Sequence, residues 1–137
     1  MAMDIADGLN YLHTQDSPIL HRDLKSLNLL VTQIPKPGGT ITVKITDFGL
    51  SRDLLENTGH QSNRMTGMAG TFHWMAPEVL KSEHYTHKAD VYSYGICLWE
   101  ILCREPPFKS WKPHEIIQKV VQESARPELT KLPGDVP

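Results

Sequence analysis

The run His21-Arg22-Asp23-Leu24-Lys25-Ser26-Leu27-Asn28 decides how the rest of this chain is read. It sets a carboxylate, an ammonium and a carboxamide close together in one short segment. Asp47-Phe48-Gly49 follows, then Gly70-Thr71, Ala76-Pro77-Glu78 and Asp90-Val91-Tyr92-Ser93-Tyr94-Gly95. One such group could arise by chance. All of them in this order, each in a fitting local setting, do not.

Upstream of the run, Ile5, Leu9 and Leu12 recur at helical spacing beside Ala2 and Ala6, which predicts an amphipathic helix over residues 1 to 14. Gly8 weakens that helix by about 1 kcal/mol relative to alanine, so packing must hold it. Asp16-Ser17-Pro18 ends it. Downstream, Leu27 to Val31 is a short apolar run, and Ile41, Val43 and Ile45 alternate with Thr40, Thr42, Lys44 and Thr46. The alternation predicts a half-buried strand, and the two runs read as a two-stranded ribbon around the turn Pro35-Lys36-Pro37-Gly38-Gly39.

From Ser51 to Gly70 the chain is polar and aperiodic, a length of loop that is usually functional or disordered. Pro77 to Ser82 suits a short helix. A helix reaching Cys103 follows, with Asp90 as its expected N-cap. Val91, Tyr92, Tyr94, Ile96, Cys97, Leu98, Trp99, Ile101 and Leu102 make it apolar nearly all round, the pattern of a central core helix. Glu105-Pro106-Pro107 stops it. Residues 113 to 123 form a second amphipathic helix with Ile116, Ile117, Val120 and Val121 inward, and the tail is irregular.

With 14 basic and 16 acidic side chains the formal net charge is -2, which argues against nucleic acid or an anionic membrane as partner. Cys97 and Cys103, the only cysteines, sit in an apolar run and are expected as buried, reduced packing residues. The longest apolar stretch is broken by Glu100 and is too short to span a bilayer. Asp4 and Asp7 fall where a signal peptide would be apolar. These features predict a soluble, cytoplasmic protein.

The polar groups have a chemical logic. Transfer of a phosphoryl group to a hydroxyl needs an acceptor for the hydroxyl proton and a divalent cation to offset phosphate charge. Asp23 and Asn28, across a tight loop, can serve both needs, or can bond local backbone as an ordinary polar turn does. Lys25 can reach a phosphoryl group as a point charge. Asp47, a carboxylate at a strand end, suits Mg2+, which takes oxygen donors and few protein carboxylates.

On these motifs the chain resembles the C-terminal lobe of a protein kinase, a family that is itself the standard example of this division of labour. The resemblance implies a mainly α fold with a small two-stranded β ribbon at the active site. It implies Asp23 as catalytic base, Asn28 and Asp47 as Mg2+ ligands, and Lys25 beside the γ-phosphate of ATP. Thr46 and Leu30 join the nucleotide site, although strand packing explains Leu29, Leu30 and Val31 equally well. His21 and Phe48 resemble members of the hydrophobic spine joining the two lobes. Residues 47 to 78 resemble an activation segment. Its available hydroxyls are Ser51, Thr58, Ser62 and Thr66, with Ser62 and Thr66 favoured, and a phosphate there could pair with Arg22. Thr71 is implied to hydrogen-bond near Asp23 and Lys25 at a substrate shelf. Asp90 resembles a buried aspartate that accepts backbone N–H groups of the catalytic loop, a role compatible with capping. Glu78 resembles a glutamate that pairs with an arginine outside this chain, because Arg126-Pro127 lies too early to be that partner.

Lys25-Ser26 resembles serine/threonine kinases. Trp74-Met75 and Leu98-Trp99-Glu100 resemble tyrosine kinases. The mixture is similar to the tyrosine-kinase-like group, with dual specificity open. The resemblance runs over residues 1–137 as a partial kinase domain, from the helix before the catalytic loop to the helix after Pro106-Pro107-Phe108. It shows no Gly-rich loop, no strand lysine with its glutamate, and no closing helices. The expected partners are a protein substrate and the missing N-lobe, and the chain alone is expected to be inactive. A non-catalytic, kinase-like interaction module is the alternative.

Overall fold

The computed structural model describes residues 1–32, 39, 41–48, 71–84 and 86–134, together with the backbone of 52–53. Helix α1 spans Ala2–His13 and buries Ile5, Leu9 and Leu12, the stripe that the periodicity predicts. Thr14 closes it by donating both its N–H and its hydroxyl to the Asn10 carbonyl, at 3.0 and 2.7 Å. Gly8 has a packing reason: a Cβ there would stand 3.0 Å from Cδ1 of Ile45.

Two short antiparallel ladders follow. Strand β1, Ile19–Leu20, pairs with β4, Arg52–Asp53; β2, Leu29–Val31, pairs with β3, Val43–Ile45, in the register Leu29 to Ile45 and Val31 to Val43. The second ladder is the expected ribbon, but it starts at Val43, not Ile41, and Leu27 lies outside it in a 3-10 turn over Ser26–Asn28. The first ladder has no counterpart in the sequence reading, which held residues 51 to 70 to be loop throughout. A two-residue pairing is too short to show a period of two. The turn at residues 35–38, Thr40, and the expected loop positions 54–70 lie outside the described residues.

Asp4 ties α1 to the ribbon: its Oδ2 accepts the Val43 N–H at 2.9 Å, the bond that chiefly holds this carboxyl below its ordinary pKa. Helix α2, Pro77–Leu80, begins on a proline, whose missing N–H costs nothing in a first turn.

Helix α3, Lys88–Cys103, is the central element, burying Ala89, Asp90, Ser93, Ile96, Cys97 and Trp99. It is not enclosed on all sides, since Val91 is 46% and Leu102 39% exposed. Ile96 and Cys97 join Ile5, Leu9, Leu24, Val43 and Trp74 in one core cluster. Burial lifts the Cys97 thiol to about 12. Cys103, in the last turn, is only partly buried, contrary to expectation. Arg104 turns the chain out of α3 at φ 54°, its N–H on the Glu100 carbonyl at 2.8 Å.

Helix α4, Pro113–Gln122, buries Ile116 and Val120 against Met75, Leu80 and Phe108 in a second cluster. Its first turn is capped by Glu115, whose Oε2 accepts the Lys112 N–H at 2.7 Å. The tail is pinned by the Trp99 indole, which donates to the Glu128 carbonyl at 3.0 Å. Among the described residues no helix is long and apolar enough to cross a membrane.

Candidate active site

The site is assembled where β1 and β3 end. Leaving β1, the chain passes through His21 to Lys25 and enters the 3-10 turn. That turn brings Asn28 back under Asp23, and its Nδ2 donates to the Asp23 carbonyl at 2.8 Å and reaches Oδ2 at 3.3 Å. Both residues are buried, Asn28 at 5% and Asp23 at 7% exposure. With its Nδ2 so engaged, Asn28 has its oxygen to offer an incoming cation.

Asp23 is polarised in its contacts. Lys25 Nζ donates to Oδ2 at 2.7 Å and also to the Thr71 hydroxyl at 3.1 Å. Oδ1 is buried and has no hydrogen-bond partner among the described residues. A buried carboxylate oxygen without a partner is costly unless a ligand completes it.

Thr46 joins the two halves. Its N–H and hydroxyl both donate to the Asn28 carbonyl, at 2.9 and 3.2 Å, and its own carbonyl accepts from His21 Nε2 at 3.0 Å. Asp47 is the next residue and takes φ 63°, a left-handed conformation that aspartate tolerates better than most residues. Gly49, the last residue of the Asp47-Phe48-Gly49 motif, lies outside the described residues. Phe48 is 49% exposed and packs its ring 5.3 Å from that of His21. His21 is fully buried. Its Nε2–H donates to Thr46 while Nδ1 accepts the Asp23 N–H at 3.3 Å, which selects the neutral Nε2–H tautomer.

A carboxylate and a carboxamide are donor types that Mg2+ accepts, its remaining positions being left to water and phosphate oxygens. Among the described residues no three His, Cys, Asp or Glu side chains gather as a metal cluster.

Asp90 is the third residue of α3, and the N-cap position is held by His87. The capping expectation is therefore corrected. The carboxylate points back into the protein instead, 2% exposed: Oδ2 accepts the His21 N–H at 2.9 Å and Oδ1 the Arg22 N–H at 2.9 Å. Arg22 stands at φ 70°. Sequence reading missed His13, whose Nε2 lies 2.8 Å from Asp90 Oδ2. Its place in the last turn of an amphipathic helix carries no signal of a partner 77 positions away.

Leu30 is 54% exposed on β2. Glu78, on α2, makes no ion pair among the described residues, and Arg126 lies over the Tyr92 ring at 5.0 Å from its centroid. Burial raises the Tyr92 phenol above its usual range, with Glu78 adding to the rise and Arg126 opposing it. Ser62 and Thr66 lie outside the described residues.

A family model for protein tyrosine and serine/threonine kinases matches residues 1–136. The chain belongs to that family. It is 42% identical over 131 residues to serine/threonine-protein kinase STY17 of Arabidopsis thaliana, covering 96% of this chain and 21% of that kinase. To serine/threonine-protein kinase CTR1 of Arabidopsis thaliana it is 44% identical over 131 residues, 96% of this chain and 15% of the relative. Dual specificity protein kinase splA of Dictyostelium discoideum is 41% identical over 136 residues, 94% of this chain and 6% of the relative. The chain thus spans at most about a fifth of the length of these kinases.

Proposed function

We propose that this chain is the C-terminal-lobe part of a protein serine/threonine kinase domain of the tyrosine-kinase-like group, acting in the cytoplasm on protein substrates with ATP and Mg2+. The observation that carries the proposal is the Asp23 carboxylate, one oxygen held by Lys25 and Asn28, the other buried and unpartnered among the described residues. Asp23 accepts the proton of a substrate serine or threonine hydroxyl. Lys25, bridging Asp23 and Thr71, supplies positive charge beside the transferring phosphoryl group. Asn28 and Asp47 hold the metal, which when bound offsets charge on the phosphates. Thr46 and Leu30 border the nucleotide.

In this reading residues 47 to 78 are the activation segment, and a phosphate on Ser62 or Thr66 orders it by pairing with Arg22. Thr71 shapes the substrate shelf, Asp90 holds the loop, and Glu78 awaits an arginine from another segment. An N-lobe covers the exposed Leu30, Val31 and Phe48 and brings the Gly-rich loop and its lysine. Half a site gives little turnover, because catalysis of this kind is positioning and charge stabilisation.

The test is phosphate transfer from ATP to a generic protein substrate, followed by phosphoamino-acid analysis. It is run on the full-length gene product and on residues 1–137 alone. Phosphoserine and phosphothreonine that disappear with Asp23→Asn support the proposal. No transfer by the full-length product overturns it in favour of a non-catalytic interaction module. Strong transfer by residues 1–137 refutes the need for an N-lobe. Phosphotyrosine would select the dual-specificity reading, for which the likeness to splA speaks.

A further inference from the structure

The geometry points to Asp4 as a positioning residue: from α1 its carboxylate takes the place of a neighbouring strand at the outer edge of β3, and so sets the path of the chain into Asp47. The ladder shows which amide needs it. The Thr42 carbonyl accepts from the Thr32 N–H at 2.9 Å, and the Thr46 N–H donates to the Asn28 carbonyl at 2.9 Å. Backbone groups alternate sides along an antiparallel strand, so the even-numbered residues of this segment bond toward β2 and the Val43 N–H turns away from it. Val43 is 3% exposed, so that amide cannot be left to water. Asp4 Oδ2 accepts it at 2.9 Å.

Asp4 is itself held from two sides. Ile5, the next residue, is fully buried in the cluster that also holds Val43. On α3, the Tyr94 hydroxyl donates to the Ala2 carbonyl at 3.1 Å and ties down the first turn of α1. The Met1 amino group stands 3.5 Å from the same Asp4 oxygen, so acceptor and charge have to be separated by experiment. The strand is then fixed at both ends, by Asp4 at Val43 and by the Asn28 carbonyl at Thr46. Asp47 follows at φ 63°, a backbone conformation that persists only where its surroundings impose it. Freeing the Val43 amide removes one of the two anchors and loosens the strand that delivers this carboxylate.

The inference rests on the kinase reading for its effect on nucleotide binding, whereas the contact itself does not. In the full-length gene product, Asp4→Ala removes both acceptor and charge, and Asp4→Asn keeps an acceptor oxygen without the charge. Amide exchange at Val43 should rise about tenfold in Asp4→Ala and stay within about threefold of wild type in Asp4→Asn. Exchange at Lys44, which is paired with Leu30, should stay within about twofold in both. KM for ATP with Mg2+ should rise about fivefold in Asp4→Ala and recover in Asp4→Asn, with KM for the protein substrate within about twofold. A mere loss of folded protein would lower the rate and leave both KM values alone. Unchanged Val43 exchange in Asp4→Ala, a rise shared equally by Val43 and Lys44, equal losses in the two variants, or an unchanged KM for ATP would overturn the proposal. The unmodified protein gives a check independent of any folding defect: as acid titrates the Asp4 carboxyl, below its ordinary 3.8, the Val43 amide resonance must move with it. A Val43 resonance indifferent to that titration excludes the contact. If the wild type transfers no phosphate, the kinase reading fails, while Val43 exchange and resonance still decide the contact.

Discussion

Lys25 Nζ and Asp23 Oδ2 stand 2.7 Å apart, and this pair fixes which oxygen of the carboxylate is left to act. The amine is 16% exposed and the carboxylate 9%, so the contact is an ion pair in a partly desolvated setting, not a surface pair worth little. It leaves Oδ1 as the oxygen with no hydrogen-bond partner among the described residues.

Asp23→Asn removes the carboxylate proposed as base while keeping volume and one acceptor oxygen. Phosphoryl transfer by the full-length protein should fall by about 10²- to 10⁴-fold, with far-UV circular dichroism unchanged. A residual rate above about a tenth of wild type would show that Oδ1 is not the acceptor.

Asn28→Ala leaves the Asp23 carbonyl without its 2.8 Å donor in a buried place. The expected loss is about 1–3 kcal/mol in urea unfolding. Asn28→Asp should lose at least as much at neutral pH, although it is nearly isosteric. It replaces a donor by a second carboxylate beside an Asp23 oxygen now 3.3 Å from Asn28 Nδ2. Equal stability of Asn28→Asp and wild type would contradict the hydrogen-bond assignment.

Gly8→Ala would gain about 1 kcal/mol in an isolated helix. Here the added methyl meets Ile45 Cδ1 at 3.0 Å, so the gain should be lost or reversed. Ile45→Val deletes that carbon. The double variant Gly8→Ala/Ile45→Val should therefore be more stable than the two single changes sum to, by about 0.5–1 kcal/mol in a thermal or denaturant cycle. Strict additivity would place Gly8 away from β3.

The Cys97 thiol, raised by burial from 9.0 to about 12, gives a pH dependence with a defined sign. Below pH 9 the thiol is neutral folded and unfolded. Above it the unfolded thiol ionises and the folded one does not, so stability falls as pH rises toward 12. Wild type should lose about 2 kcal/mol more than Cys97→Ala between pH 8.5 and 10.5, at 1.36 kcal/mol per pH unit. Parallel pH profiles of the two proteins would show that Cys97 is not buried.

The helices were legible because their signals are local. Ile5, Leu9 and Leu12 repeat with the helix period, and Ile116 and Val120 do the same on α4. The β2–β3 ribbon was legible from alternation. The ladder of Ile19–Leu20 with Arg52–Asp53 was not, because a pairing of two residues has no period to read. Asp90 misled for a related reason. An acidic residue near a helix start looks like a cap whatever its side chain reaches, and here it reaches inward past the cap position held by His87.

By itself the order of residues determined the chemistry on offer: a carboxylate, an ammonium and a carboxamide in one short loop, a second carboxylate at a strand end, and the family to which the chain belongs. Only the tertiary structure decided how these groups are oriented. Thr46 bonds twice to the Asn28 carbonyl, Asp90 grips the amides of His21 and Arg22, and His13 meets Asp90 from another helix. The physical reason is range. Periodicity and turn chemistry act over a few residues, whereas a buried polar group must find its partner wherever folding brings one, here up to 77 positions away.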